Sequence, residues 1–324
     1  MMKFKKSLWS VLALSFISIL FLQCENVAPD QNTNEADILA VLMADDSTFT
    51  LDGFDNEDLQ LLKNTLSSDS NPVEVNAFVD SNYVWAFGRS DMNVERTNDI
   101  TELDDSTATA VVSHHVTGIF HARQFERIIV NDSTWTRGDS IRFSEKALDM
   151  TFNRNVLLHK RTNPDGDDVW VIMGVTATYG ASPNTTLGIE AISIQFGDST
   201  LVLDDFANYY FNRENAIRFH FNRFGRIEAM ISNDVSDEAE SVNGIWGGHP
   251  RLPNLRHVGF RYMETNGDGY KVYAQLIRPE FHPNRHKRGQ VQVIDFRTLF
   301  DHDYLAFNSV AVGMMYHIIR PPQP

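Results

Sequence analysis

The hydrophobic positions of this chain recur first with a helical period. Over residues 34–44 apolar side chains line one side, Asn34 is placed to cap a helix and Asp37 lies in its first turn. Over residues 55–66 leucines recur at helical spacing behind an acidic N-terminal end, which the helix dipole favours. The spacing of Phe78, Asn82 and Trp85 predicts a third helix over residues 77–89. We therefore expect helices before residue 90.

From Val94 onward the period changes to two, which is typical of strands. Residues 107–123 form the clearest predicted strand, with one apolar face consisting of Ala108, Ala110, Val112, Val116 and Phe120. Residues 147–159 and 169–178 predict a hairpin around the turn Asn163-Pro164-Asp165-Gly166.

A run of short strands is predicted after Ala181-Ser182-Pro183-Asn184, which we interpret as a domain boundary. A loop rich in Gly and Pro is expected over residues 233–253. The predicted strands are 189–196, 199–203, 218–224, 226–232, 257–263, 271–277, 290–296 and 306–319.

Two family resemblances follow from these patterns. Acidic helices followed by a sheet that ends in the strand Val169-Trp170-Val171-Ile172-Met173-Gly174-Val175 resemble the NTF2-like α+β fold. The later short strands, with their Gly-Asp and Asn-Gly turns, resemble an immunoglobulin-like β-sandwich without a disulfide. The closing segment 301–320 is similar to the last strands of two-domain bacterial lipoproteins. The resemblances imply a mainly β and α+β chain, with an NTF2-like domain at 34–182 and an immunoglobulin-like domain at 183–324.

The N-terminus has the layout of an export signal. Lys3, Lys5 and Lys6 precede an apolar run over residues 7–22, which is shorter than the roughly 20 residues of a spanning helix. Phe21-Leu22-Gln23-Cys24 resembles a lipobox, although Gln23 replaces the usual small residue. This resemblance implies a signal peptide at 1–23, lipid on Cys24, a tether at 24–33 and an outer-membrane anchor in a bacterial envelope. An ordinary secretory signal with a chance Cys is the alternative.

Composition narrows the function classes. Cys24 is the one Cys of the chain, so an intramolecular disulfide is excluded, and its use for lipid would exclude cysteine catalysis. The net charge is −15, and loss of residues 1–23 would leave 25 basic against 43 acidic residues, or −18. Nucleic acid is therefore not an expected partner, because phosphate contact requires clustered Lys and Arg.

The histidines are the first candidates for chemistry. His114 and His115 point to opposite faces of a strand, and His115 and His121 share a face roughly 20 Å apart, so neither pair can share a metal. His114 falls on the apolar face, as expected for a buried histidine. His282 and His286, with Arg285, Lys287 and Arg288, could hold an anionic partner or, in a helical turn, contribute to a metal site. A solvated basic loop is the simpler interpretation.

The acidic clusters are better explained as turns. Asp165-Gly166-Asp167-Asp168 and Asn266-Gly267-Asp268-Gly269 lack the ligand spacing of calcium loops and suit hairpin turns. Asp301-His302-Asp303 is expected in a loop. The chain has no Gly-x-Ser-x-Gly, His-Glu-x-x-His, P-loop or Gly-x-Gly-x-x-Gly motif.

Two functional hypotheses follow. The first is a membrane-anchored, non-enzymatic binding or assembly module without metal or cofactor, whose partner is an envelope protein or glycan. The second is an NTF2-like pocket that carries a small ligand or acts as an enzyme. A pocket with convergent titratable groups would favour the second, and a filled interior with an exposed aromatic patch would favour the first.

Overall fold

The protein is mainly β. A computed structural model describes residues 33–44, 83–131, 134–183, 185–197, 199–212, 216–221, 223–233, 240–248, 256–277, 286–300, 306 and 308–319. The predicted signal peptide, Cys24, the tether and the predicted helix at 55–66 lie outside these residues. The mainly β prediction is confirmed by antiparallel sheets that contain most of the described residues.

The first described element is a helix, and all elements that follow it are strands except for one short helix near the end. The first half contains α1 (Thr33–Ala44), β1 (Tyr83–Asp104), β2 (Thr107–Asn131), β3 (Thr134–Thr162), β4 (Asp168–Val175) and β5 (Thr178–Ala181). The second half contains β6 (Leu187–Phe196), β7 (Ser199–Leu203), β8 (Ile217–His220), β9 (Gly225–Asn233), β10 (Glu240–Gly248), β11 (Arg256–Gly259), β12 (Arg261–Thr265), β13 (Lys271–Ile277), β14 (His286–Asp295), α2 (Phe296–Phe300) and β15 (Ser309–Ile319).

These strands form two sheets. The larger has the order β1-β2-β3-β5-β15-β14-β10-β11, with β4 added to β3 and β8 added in parallel to β15. The smaller has the order β12-β13-β9-β6-β7. Strand β5 pairs with β3 on one side and with β15 on the other, so the larger sheet continues across the predicted boundary at Pro183. Whether the two halves fold independently stays a prediction.

The main core lies between the two sheets. Inward side chains of β6, β9 and β13 pack against those of β10, β14 and β15. Strand β9 alternates buried and less buried positions, whereas β15 is buried at most positions because the larger sheet is covered on both faces there. Its buried members include Ile192, Ile194, Ile227, Ala229, Ile231, Tyr273, Val242, Val291, Val293, Val310, Val312 and Met314.

Helix α1 confirms the first helical prediction. Ile38 and Leu42, one turn apart, are fully buried against the β2, β3 and β4 part of the larger sheet. The apolar face predicted for β2 is also confirmed, since Ala108, Val112 and Phe120 are buried.

Three local predictions were wrong. A helix was expected at 77–89, but residues 83–89 belong to β1, whose ladder with β2 outweighs the helical spacing. The expected loop at 233–253 contains β10, which lies between β14 and β11. The single strand expected at 257–263 is two strands in different sheets, β11 and β12, separated by the buried Phe260.

The two acidic turns are confirmed. The Asn163 side chain accepts hydrogen bonds from the amides of Asp165 and Asp167, and Gly166 has a φ of 92°. Asn266 does the same for the amides of Asp268 and Tyr270. Both Asn oxygens are thus occupied by backbone amides, as in Asx turns.

Candidate functional site: a three-stranded arm

The first three strands are unusually long. β2 alone has 25 residues, about 80 Å at 3.3 Å per residue. Its C-terminal part pairs with the start of β1 and the start of β3, and we call residues 83–90, 119–131 and 134–147 the arm. In the described residues no strand pairs with the outer edge of β3 from Thr134 to Lys146. The arm therefore extends beyond the two-sheet core.

Large apolar side chains are exposed at the end of the arm. Ile128, Ile129 and Val130 are consecutive and are 46 %, 68 % and 61 % exposed, so both faces of β2 are open there. Nearer the base of the arm, Ile141 and Phe143 of β3 are also about half exposed. Side chains of this size cluster on a protein surface chiefly at interaction sites.

The arm is cationic, although the chain as a whole is acidic. Its β2 and β3 segments carry Arg123, Arg127, Arg137, Arg142 and Lys146. Against these stand three described acids, Glu126, Asp139 and Glu145. The arm is therefore positively charged, whereas the chain as a whole has a net charge of −15.

Two of these arginines are held on aromatic rings. The guanidinium of Arg137 lies 4.0 Å from the ring centre of Phe125, and that of Arg123 lies 4.8 Å from the ring centre of Phe143. Burial, and then the positive charge of Arg123, lower the pKa of Arg137. Arginine remains protonated in proteins, so both groups keep their charge in a restricted position.

The base of the arm is fixed to the body of the protein. Phe87, Phe120 and Leu148 from the three arm strands belong to an apolar cluster that includes Ile294 and Leu299. The Ser144 hydroxyl donates to the Leu299 carbonyl. The arm is therefore an extension of the sheet with a packed base and an exposed end.

No family model matches this chain. No curated protein and no solved structure matches it either. None of the helices described is long and apolar enough to span a bilayer.

The sequence-predicted basic segment is only partly described. His282 and Arg285 lie outside the described residues, as do Cys24 and residues 301–303. His286, Lys287 and Arg288 are in β14, paired with β15, so the loop expected there is wrong for these three positions. A helical turn at His286 is excluded because its backbone belongs to the ladder opposite His317.

The histidines of β2 occupy separate environments. His114 is buried, as predicted from its place on the apolar face. His115 and His121 share the opposite face and contact different carboxylates: His115 Nε2 is 3.0 Å from Asp149 Oδ1, and His121 Nδ1 is 3.1 Å from Glu145 Oε1. Among the described residues no group of three or more His, Cys, Asp and Glu comes together as a metal site.

Sequence reasoning missed the arm. The exposed run Ile128-Ile129-Val130 lies beyond the predicted strand end at residue 123, and it has no alternation that would reveal a partly exposed strand. The signal that could have located it is the alternation of Arg with aromatic residues over 123–143, in a chain otherwise dominated by acids.

Proposed function

We propose that this protein is a binding or assembly module of a bacterial envelope, anchored through lipid on Cys24, whose arm binds its partner. The observation that carries the proposal is the end of the arm, where Ile128, Ile129 and Val130 are exposed together close to Arg137, which lies on the Phe125 ring. Clusters of exposed apolar side chains mark interaction sites, and Arg is enriched at the energetic centres of protein interfaces.

The partner proposed is an envelope protein with an acidic and apolar surface. Four of the five cations on the β2 and β3 segments of the arm are Arg, which favours interfaces with planar carboxylates, whereas membrane-surface patches do not require Arg over Lys. Stacking on Phe125 and Phe143 restricts Arg137 and Arg123 before binding, so less side-chain entropy is lost in the complex.

Photo-crosslinking tests this proposal. A photoreactive amino acid is placed at Ile129 of the full chain, in a bacterium that carries the gene, and at Val202 as the matched control. Val202 is also half exposed on a strand but lies in the smaller sheet, away from the arm. We expect one discrete protein adduct at position 129 and none of that mass at position 202.

Two outcomes would contradict the proposal. Equal adducts at both positions would show that exposure alone determines crosslinking. Adducts of lipid mass at position 129, without a protein adduct, would place the arm in a membrane surface instead.

The anchor is tested separately. We expect the intact mass of the membrane-bound protein to correspond to a chain that begins at Cys24 with added acyl groups. Cys24→Ser should block processing or release the protein from the membrane. A mature chain that begins elsewhere would refute lipidation without affecting the proposal for the arm.

The finer fold assignments are part of this proposal. The NTF2-like assignment is supported by α1 packed on the sheet formed by β2, β3 and β4. The immunoglobulin-like assignment is supported by two antiparallel sheets that enclose one core. Strand β5, shared between the two halves, is a feature that both assignments must accommodate.

A further inference from the structure

A serine, a histidine and a glutamate meet on one face of the arm, at the junction with the body. Ser90 Oγ of β1 lies 2.7 Å from His121 Nε2 of β2. The other ring nitrogen of His121, Nδ1, lies 3.1 Å from Glu145 Oε1 of β3. The three residues come from three neighbouring strands, so the sheet itself sets their spacing.

The contacts determine which ring nitrogen carries the proton. A carboxylate oxygen next to Nδ1 favours a proton on Nδ1, because two lone pairs would repel there. Nε2 of the neutral ring is then unprotonated and accepts the Ser90 hydroxyl proton. A second acceptor, Asp91 Oδ2, is 3.2 Å from the same hydroxyl, and the shorter contact with His121 favours the imidazole. This is the order of roles in a nucleophile, general base and orienting acid.

The backbone at Ser90 departs from a regular strand. The register between β1 and β2 shifts between Ser90 and Asn93, which leaves Asp91 and Met92 without a register partner in β2. Asp91 has a φ of 52°, the one positive φ at a non-glycine position in the described residues. A Cβ at Gly118 would lie 2.9 Å from the Ser90 carbonyl oxygen, so glycine is required for the close approach of the bulge. Bulges and strained residues of this kind concentrate at functional sites.

We propose that Ser90, His121 and Glu145 form a hydrolytic site for carboxylic esters. Ser90 Oγ attacks the ester carbonyl carbon while its proton moves to His121 Nε2. The same proton then passes to the departing alkoxide, and the acyl group remains on Ser90. Water, deprotonated by His121, attacks the acyl-serine, the bond to Ser90 Oγ breaks, and the proton returns to Ser90. The products are an alcohol and a carboxylic acid.

The surroundings indicate the class of ester. The Phe143 ring stacks on His121 with centres 6.2 Å apart and is half exposed, so an aromatic or apolar group beside the carbonyl has a surface to contact. The amides of Asp91 and Met92 follow Ser90 directly in the bulge, outside the β1–β2 register, and we assign them as the donors for the developing oxyanion. Phe143 and Glu145 are about half exposed, so water is not excluded around His121, and the site suits esters with good leaving groups better than amides.

A fluorophosphonate probe and p-nitrophenyl butyrate test the proposal on the full chain. We expect the probe to label the peptide that contains Ser90, and expect p-nitrophenolate release to fall at least a hundredfold in Ser90→Ala and in His121→Asn. Glu145→Gln should reduce the rate at least tenfold, because it keeps the size of the side chain but removes the charge that orients the ring.

The matched control is His115→Asn. His115 forms a similar pair with Asp149 on the same face of β2. If loss of any His–carboxylate pair lowered the rate, His115→Asn and His121→Asn would lower it equally. We expect His115→Asn to keep the full rate. Thermal melts of every variant exclude loss through unfolding. Absence of labelling at Ser90 in a folded chain, or hydrolysis that persists in Ser90→Ala, would overturn the proposal, whereas crosslinking at Ile129 would be unaffected.

Discussion

Lys271→Met should lower the free energy of unfolding by about 3–5 kcal/mol, because it leaves a buried carboxylate without its cation. The Glu240 side chain is fully buried, and its oxygens contact Lys271 Nζ at 2.8 Å and the Tyr273 hydroxyl at 2.9 Å. Lys271 Nζ and the Tyr273 hydroxyl contact Oε1 of Glu240, and Asn233 Nδ2 donates to Oε2 at 2.9 Å. Glu240 begins β10 of the larger sheet, while its three partners lie in β13 and β9 of the smaller one. The network therefore connects the two sheets.

Urea unfolding of the variants measures this effect. Glu240→Gln combined with Lys271→Met should recover part of the loss, since the amide removes the charge but still accepts from Tyr273. Arg226→Met is the matched control, because its ion pair with Glu228 is more than one-third exposed on the Arg226 side. Arg226→Met should lower the free energy of unfolding by less than about 1 kcal/mol. A Lys271→Met effect equal to the control would show that the network contributes nothing to the packing of the two sheets.

Gly180→Ala should lower the free energy of unfolding by about 1–3 kcal/mol through overpacking. A Cβ at Gly180 would lie 2.2 Å from the Phe152 ring, which is buried on the neighbouring strand β3. Gly180 is also opposite Ala311 of β15, so it lies in the strand that joins the two halves of the larger sheet. The ring covers the glycine, and nothing larger fits without displacing it.

Thermal melts and urea titrations test this prediction. Gly180→Ala with Phe152→Leu should recover stability relative to Gly180→Ala alone, because the smaller side chain makes room for the new methyl group. Gly267→Ala is the control: an added Cβ there meets nothing within 4 Å, and the change should stay within about 0.5 kcal/mol. If Gly180→Ala matched the control, the close packing of β5 on β3 would be refuted.

The elements with one buried face were predictable from the sequence. Ile38 and Leu42 follow a helical period, and Ala108 to Phe120 follow a period of two, because each face meets a core. The start of β1, residues 83–89, was mistaken for a helix, since its structure depends on a ladder with β2 that local spacing does not encode. Strand β10 was taken for a loop because of Gly244, Gly247 and Gly248.

The sites were less predictable than the fold. Ser90, His121 and Glu145 are 31 and 24 positions apart in sequence, and their meeting depends on the register of two strand pairs and a bulge. A search for local motifs cannot find such a group, because triads are defined by geometry and not by spacing. The pairing of β5 with both β3 and β15 was unpredictable for the same reason, because its partners are distant in sequence, whereas the turn residues at 181–184 predicted a domain boundary.

The claim that the arm is the binding surface depends on its charge as well as its apolar end. The most direct test is the yield of the protein adduct from position 129 in the full chain, compared with the yield after Arg127→Glu and Arg137→Glu are added together. Because truncation of an arginine at an interface hot spot costs about 2 kcal/mol or more, we predict that the yield falls at least about tenfold while the melting temperature changes little. An unchanged yield in the double variant would contradict the account.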